Sequence, residues 1–125
     1  MPRQSAIVTE AELAVLDFLW EHSSSAVRDI SKNIYGKNTA AYHATVNSLL
    51  EQLESKGFVK RDRSGFAHLF STKIDRSTLV GQELQEIADN HFEGEIAPML
   101  LSMVGKMALK PSERKAILKI IESMD

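Results

Sequence analysis

Histidines and closely spaced glutamates are the residues of this chain whose types suit metal binding or acid–base catalysis. The four histidines lie far apart and lack the short spacing of a metal-ligand set: His22, His43, His68 and His91. The glutamate pairs, such as Glu10 with Glu12, are better explained as helix starts or solvated faces. The chain has no cysteine, no glycine-rich phosphate loop and no His-Glu-x-x-His or nucleophile-elbow motif. The sequence therefore predicts no catalytic residue, no metal site and no cofactor.

A different chemistry, hydrogen bonding to the edges of DNA bases, is suggested by residues 40–48. When the apolar stripe Val46, Leu49 and Leu53 is placed inward on a helix, the outward and flanking positions all carry short side chains: Ala40, Ala41, Ala44, Thr45, Asn47 and Ser48. A helix that enters a major groove needs slim side chains so that its backbone can approach the bases. Asn47 is suited to pair with adenine, and Thr45 to contact thymine methyls or phosphates. The alternative is an ordinary solvent-facing surface, although such surfaces usually carry Lys, Glu and Arg.

Positive charge follows this segment directly. Residues 56–76 contain six basic side chains, against only Asp62 and Asp75: Lys56, Lys60, Arg61, Arg63, Lys73 and Arg76. This local excess is either a phosphate-facing stripe or a solvated loop. The chain as a whole carries a net charge of −2, concentrated in residues 77–125. Tyr42 lies near the core side of the helix. Either its hydroxyl reaches a phosphate, or the ring is packed in the protein and its hydroxyl has a hydrogen-bond partner there.

Three helices and a hairpin are predicted to position these residues. Thr9 and Glu12 form a capping box at the start of a first helix over about 9–22. Ser25 is predicted to begin a short second helix that ends near residue 34, and Gly57 to end a third helix over about 39–56.

A β-hairpin follows the third helix. Residues 58–61 and 66–70 are predicted as its strands, joined by turn residues 62–65. Three helices followed by a hairpin make a winged helix-turn-helix over residues 9–72, within a DNA-binding domain over 1–76. The fold class is mainly α with a small β-hairpin: a winged helix-turn-helix head plus a C-terminal helical dimerisation region.

Residues 77–125 form that second domain, in which Ser77 is predicted to cap a helix and Pro111 to begin the last one. The stretch 96–107 is nearly all apolar. Three short helices cannot bury so many apolar side chains alone, so the sequence predicts a homodimer. The alternative is that these helices fold back onto the head of the same chain. The predicted dimerisation residues are Val80, Leu84, Ile87, Met99, Met103, Ile117, Ile120, Ile121 and Met124.

Composition is that of an ordinary globular protein, with 43% hydrophobic and 26% charged residues. No apolar run approaches the ~20 residues that cross a bilayer, and the first residues lack the apolar stretch of a signal peptide. We therefore expect a cytoplasmic protein without direct membrane insertion.

An ordered series of short stretches resembles the penicillinase repressor family, which includes repressors of β-lactamase, methicillin-resistance and copper-transport genes. These stretches are TEAELAVL at 9–16, VRDI at 27–30, KGFVKR at 56–61 and GFAHLF at 65–70, and the resemblance continues through FEG at 92–94 and a final Leu/Ile-rich helix, so that it extends over nearly the whole chain. The resemblance implies a homodimer on a palindromic operator of double-stranded DNA, with the third helix in the major groove. It places DNA contacts at Tyr42, His43, Thr45 and Asn47, with support from Arg63 and His68 in the hairpin.

In the antibiotic-responsive relatives, a membrane sensor triggers proteolysis in the C-terminal region. The corresponding stretch here is about Leu101 to Met103, so the resemblance adds a membrane sensor protease as a possible partner. The copper-responsive members use a C-terminal cysteine cluster, which this chain lacks. The sequence thus predicts a DNA-binding transcriptional repressor. The alternative is a winged-helix protein-interaction module that does not bind DNA, which the acidic net charge favours.

Overall fold

Six helices and one hairpin make up the protein, as seen in a computed structural model that describes residues 4–104 and 109–124. In chain order the elements are α1 (Glu10–Glu21), α2 (Val27–Tyr35), α3 (Ala40–Ser55), β1 (Val59–Asp62), β2 (Leu69–Thr72), α4 (Arg76–His91), α5 (Ile96–Val104) and α6 (Pro111–Glu122). The chain divides into two compact units, with the boundary after Glu86. The predicted class, mainly α with a small hairpin, is confirmed.

The capping box predicted for α1 is present. The Thr9 hydroxyl accepts from the amide of Glu12 at 3.1 Å, and the Glu12 carboxylate accepts from the amide of Thr9 at 2.9 Å. Glu12 is nevertheless only 1% exposed, and its second carboxylate contact is the Lys56 ammonium, 3.1 Å from Oε1. The start of α1 is thereby tied to the end of α3, although 44 residues separate the two side chains.

The core of the first unit lies between α1, α2, α3 and the hairpin. Its buried apolar residues are Val15, Leu16, Phe18, Leu19, Ile30, Val46, Leu50, Leu53, Phe58, Val59, Phe70 and Leu79. The stripe on α3 therefore faces inward as its periodicity predicts, although Leu49 is only partly buried.

The start of α2 differs from the prediction. Ser25 does not begin the helix, because its backbone is engaged with Phe70: the Ser25 amide donates to the Phe70 carbonyl at 3.0 Å and the Phe70 amide donates back at 2.8 Å. Ala26 is the N-cap and provides no side-chain hydrogen bond. Gly36 ends the helix in the left-handed conformation, with φ of 69°.

Both ends of α3 have recognisable caps. The Thr39 hydroxyl accepts from the amide of Tyr42 at 3.4 Å. At the other end Gly57 has φ of 82°, its amide donates to Glu54, and the amide of Phe58 donates to Leu53. These are the two bonds of a Schellman motif, which turns the chain directly from α3 into β1.

The hairpin pairs β1 and β2 antiparallel, with Val59 opposite Thr72 and Asp62 opposite Leu69. Its second strand begins at Leu69, three residues later than predicted, so residues 63–68 form the connection. Within it, Asp62 Oδ1 accepts from both the amide and the hydroxyl of Ser64. These hydrogen bonds hold the pKa of the Asp62 carboxyl below its usual value.

The first turn of α4 is capped two residues earlier than predicted. Asp75, rather than Ser77, accepts the amide of Thr78 at 2.7 Å, and hydrogen bonds from the side chain and the amide of Thr78 lower the pKa of the Asp75 carboxyl. Further along α4, Glu86 accepts from the Ser5 hydroxyl and from the amide of Ala6. The N-terminal segment is thus attached to α4 by side-chain carboxylates.

The second unit contains the end of α4 together with α5 and α6. Pro111 occupies the first turn of α6 as predicted. None of the residues of α6 is buried, and on α5 only Met99 is. The predicted apolar stretch 96–107 continues past α5 into residues 105–107, which lie outside the described residues.

Candidate nucleic-acid interface

The surface of short side chains predicted on the third helix, α3, is exposed. All six of its residues face solvent; we call them the α3 face: Ala40, Ala41, Ala44, Thr45, Asn47 and Ser48. The Thr45 hydroxyl donates to the carbonyl of Ala41 at 3.2 Å. The Asn47 amide makes no side-chain hydrogen bond within residues 4–104 and 109–124, so its donor and acceptor are both available to a ligand.

Two further predicted contacts, Tyr42 and His43, lie at the N-terminal end of α3 and are half-buried. The ring of Tyr42 stacks on Tyr35 of α2, with centroids 4.8 Å apart. The ring Nε2 of His43 is hydrogen-bonded to the side chain of Asn38. Tyr42 is therefore held by the end of α2 and His43 by the turn between α2 and α3, which restricts the orientation of both side chains.

The basic stripe at 56–76 is divided by the fold into two groups. Three of its members form intramolecular ion pairs: Lys56 with Glu12, Arg61 with Glu54, and Arg76 with Asp17. Arg61 and Arg76 also lie over aromatic rings, those of Phe70 and Trp20. The other three have no ion pair in the described part of the chain, and all are exposed: Lys60, Arg63 and Lys73.

Arg61 was predicted to bind DNA, and the structure gives it a second role. Its guanidinium lies 3.3 Å from Glu54 and 4.8 Å from the Phe70 ring centroid, and its Nε is buried without a partner. Arg61 thus helps to fix the hairpin against the end of α3. Within residues 56–76, the charge that remains for a phosphate is that of Lys60, Arg63 and Lys73.

The α3 face and the hairpin border one open depression of about 220 Å³. Asn47 lines it from α3, His68 and Arg61 from the hairpin, and Arg28 from α2. Three of the predicted contacts, Asn47 on α3 with Arg61 and His68 on the hairpin, are therefore neighbours. His68 and Arg63 are exposed, as is Ser48.

The predicted dimerisation residues are largely exposed in the single chain. On α6, Ile120 is 62% exposed, and its neighbours Ile117, Ile121 and Met124 are also exposed. Met103 on α5 and Val80 and Leu84 on α4 are exposed too. Ile87 is half-buried, and Met99 is only 5% exposed and has little surface left for a second copy.

Phe66 is the residue that the sequence interpretation missed. It was assigned to a strand, yet it lies in the connection of the hairpin with its whole side chain in solvent. The alternation of apolar and polar residues at 66–70 predicted a strand there. Because β2 begins only at Leu69, Phe66 instead falls in a six-residue connection, 63–68.

Other kinds of site have no counterpart in the part of the chain that is described. No group of three or more His, Asp or Glu residues there is arranged to hold a metal ion. Nor does any helix within residues 4–104 and 109–124 combine the length and apolar character needed to span a membrane.

The order α1–α2–α3–β1–β2, with a slim exposed α3 face beside a basic hairpin, defines a winged helix-turn-helix domain of the DNA-binding class. The family model of the penicillinase repressor matches residues 8–123. The chain belongs to this family.

Known proteins similar to it include a curated relative and a solved structure. The penicillinase repressor of Bacillus licheniformis is 23% identical over 115 residues, which cover 92% of this chain and 89% of the relative. The solution structure of the DNA-binding domain of the repressor BlaI matches with a TM-score of 0.49 and 24% identity. That match covers 62% of this chain and 93% of the domain.

Proposed function

We propose that this protein is a transcriptional repressor that binds a two-fold DNA operator as a homodimer. The α3 face carries this proposal, because six exposed, short side chains with an unengaged Asn47 amide lie next to a hairpin with free positive charge. This role calls for a cytoplasmic location, the one expected from the sequence.

Recognition is divided between two kinds of contact. Asn47, Thr45 and Ser48 meet base edges in the major groove, since only short side chains let the helix backbone come close. Lys60 and Arg63 bind phosphates and fix the orientation of the head without reading sequence. Tyr42, His43 and His68 support these contacts from the two ends of the interface, and Arg61 holds the hairpin in place.

Dimerisation is proposed to use the apolar surface of the second unit. Leu101 is 71% exposed and Ile120 62%, and α6 has no buried residue. Helices with such surfaces are stable only when another apolar surface covers them. A second copy of the chain provides the same surface, and it gives the pair of heads the two-fold symmetry of a palindromic operator.

The DNA-binding proposal is tested by two matched pairs of variants. Asn47→Ala should lower affinity for the operator more than for random duplex, and Lys60→Ala should lower both equally and reduce the salt slope by about 1. Asn90→Ala and Lys115→Ala, exposed residues of the same types on α4 and α6, should change neither. Fluorescence anisotropy with promoter duplexes that flank the gene supplies the affinities.

If the chain binds no flanking promoter even at low salt, it is an interaction module and not a repressor. If Asn47→Ala and Lys60→Ala act equally on operator and random duplex, the α3 face does not read sequence.

The dimer is tested by sedimentation. Ile120→Asp should yield monomers, because it buries an unpaired carboxylate in the proposed interface. Lys115→Asp, about 140° around α6 from Ile120, should leave the dimer intact. An unchanged dimer mass for Ile120→Asp would refute this placement of the interface.

Control by proteolysis is the remaining part of the proposal, with a membrane sensor protease as the partner. Leu101, Ser102 and Met103 lie on α5 with exposed side chains. A cut there separates α6 from the head and removes most of the proposed dimer surface. A chain truncated after Leu101 should therefore be monomeric and bind the operator weakly, and operator affinity equal to that of the full chain would exclude this mode of control.

A further inference from the structure

Phe66 is a large apolar side chain that does not belong to the core of the first unit. The relative solvent-accessible surface of Phe66 is 109%, so no part of it is covered by the first unit. Isolated exposed apolar residues are common on proteins. A fully exposed phenylalanine in the connection of a hairpin is a stronger observation, because a polar residue there would not weaken the packing of the first unit.

The connection that carries Phe66 is fixed on its N-terminal side. Asp62 Oδ1 accepts from the Ser64 amide at 2.9 Å and from the Ser64 hydroxyl at 2.6 Å. The two strands are joined by four residue pairs, from Val59 with Thr72 to Asp62 with Leu69. The ring therefore projects from an ordered support.

Charge around the ring favours a nucleic acid as its partner. Lys60 and Arg63 are exposed and have no ion pair within the described residues, and His68 is exposed on the other side of the connection. The acidic residue of the hairpin, Asp62, is already engaged by Ser64. An apolar ring on the same hairpin as two unpaired cations suits a surface that offers phosphates at its edges and stacked bases between them.

The position of the hairpin beside α3 indicates which groove of the DNA the Phe66 ring contacts. Asn47 of the α3 face and His68 of the hairpin line the same depression. In B-DNA a minor groove lies next to the major groove across one phosphate backbone, so a hairpin beside an α3 that occupies the major groove is placed to extend across that backbone toward the minor groove. Apolar side chains in a minor groove insert between base steps and partly unstack them.

Resting on the function proposed above, we propose that Phe66 is a wedge that inserts at a base step in the minor groove next to each α3 contact. The operator then carries sequence preference at a position with no hydrogen bond to the protein. Pyrimidine–purine steps such as TA and CA are the most easily unstacked, and A-tracts resist it. Each half-site should therefore favour a flexible step about 5 base pairs, half a helical turn, from the bases that Asn47 reads.

The test uses a duplex selected by the full chain from a random 30-base-pair library, with 2-aminopurine placed at the proposed step. Because 2-aminopurine brightens when it unstacks, its fluorescence should rise when the wild-type chain binds. Phe66→Ala should abolish the rise and reduce the preference for TA over an A-tract from about tenfold to less than twofold. Phe66→Leu, which retains an apolar wedge, should keep part of both effects.

Lys60→Ala is the matched control on the same hairpin, and it should weaken binding to every duplex while keeping the rise. If the wild-type chain binds the selected duplex without a rise, or if Phe66→Ala keeps the step preference, the wedge is refuted while DNA binding stands. A change in oligomeric mass with Phe66→Ala would also overturn it, since the ring would then belong to a protein contact. If the library yields no enriched duplex, the proposed function fails and the wedge with it.

Discussion

Replacement of Lys56 by methionine should destabilise the first unit strongly, because it leaves a buried carboxylate without its cation. Glu12 is 1% exposed, and Lys56, whose side chain is 12% exposed, approaches its Oε1 to 3.1 Å. The remaining bond to that oxygen is the amide of Thr9, and Oε2 has no hydrogen-bond partner in the described part of the chain. A methionine matches the length of lysine, so the packing of its stem is retained.

The expected loss is about 3 kcal/mol. Removal of one member of a buried ion pair costs about 3–5 kcal/mol, and the lower end applies because water reaches the lysine side of the pair. With a urea dependence of about 1.5 kcal/mol per M, the unfolding midpoint should fall by about 2 M. Lys73→Met removes an exposed lysine that has no ion pair within residues 4–104 and 109–124. It should change the free energy of unfolding by less than about 0.5 kcal/mol.

Urea unfolding followed by circular dichroism at fixed protein concentration provides the measurement. The double variant Glu12→Gln with Lys56→Met has no buried charge and should be at least about 1 kcal/mol more stable than Lys56→Met alone. The reasoning is refuted if Lys56→Met matches the Lys73→Met control, or if the double variant is the least stable of the set.

Two further predictions concern the backbone and the N-terminal segment. Gly36→Ala should cost about 1 kcal/mol in unfolding free energy because φ there is 69°. Gly81→Ala, in α4 with open space around it, should gain about 0.5–1 kcal/mol, and thermal melts giving the same sign for both would contradict this. Hydrogen bonds from Ser5 and Ala6 hold the pKa of Glu86 below its ordinary 4.5, so this contact contributes stability above that pH and loses it as pH falls through the lowered pKa. The Ala6 amide shift in NMR should titrate below 4.5 in the wild type and not at all in Glu86→Gln, whereas a midpoint at or above 4.5 would show that the bond does not favour the carboxylate.

Local signals in the sequence predicted much of the fold. The capping box of Thr9 and Glu12, the apolar stripe of α3 and the stop at Gly57 each depend on residues within a few positions of one another. Their physical causes, hydrogen bonding at helix ends and burial of one helix face, act locally. The same holds for the six short side chains of the α3 face, whose exposure follows from the helical period alone.

Long-range partners could not be predicted in this way. Ser25 was assigned to α2, but its backbone is bound to Phe70, 45 positions away, which only the folded hairpin provides. For the same reason the sequence did not reveal that Lys56, Arg61 and Arg76 are neutralised by acidic partners on α1 and α3. A count of basic residues at 56–76 therefore overstates the charge available to a phosphate.

Directed DNA cleavage tests the central claim most directly, and the absence of cysteine from the chain makes it simple. A Gln52→Cys variant, exposed on α3, accepts a single iron chelate that cuts DNA near its point of attachment. On a duplex selected from a random library, the labelled protein should cut at two positions related by two-fold symmetry and separated by about one helical turn, ~34 Å. The cysteine-free wild type, treated in the same way, should not cut. Cleavage spread evenly along the duplex, or none from the labelled α3 at concentrations that saturate binding, would contradict recognition through α3.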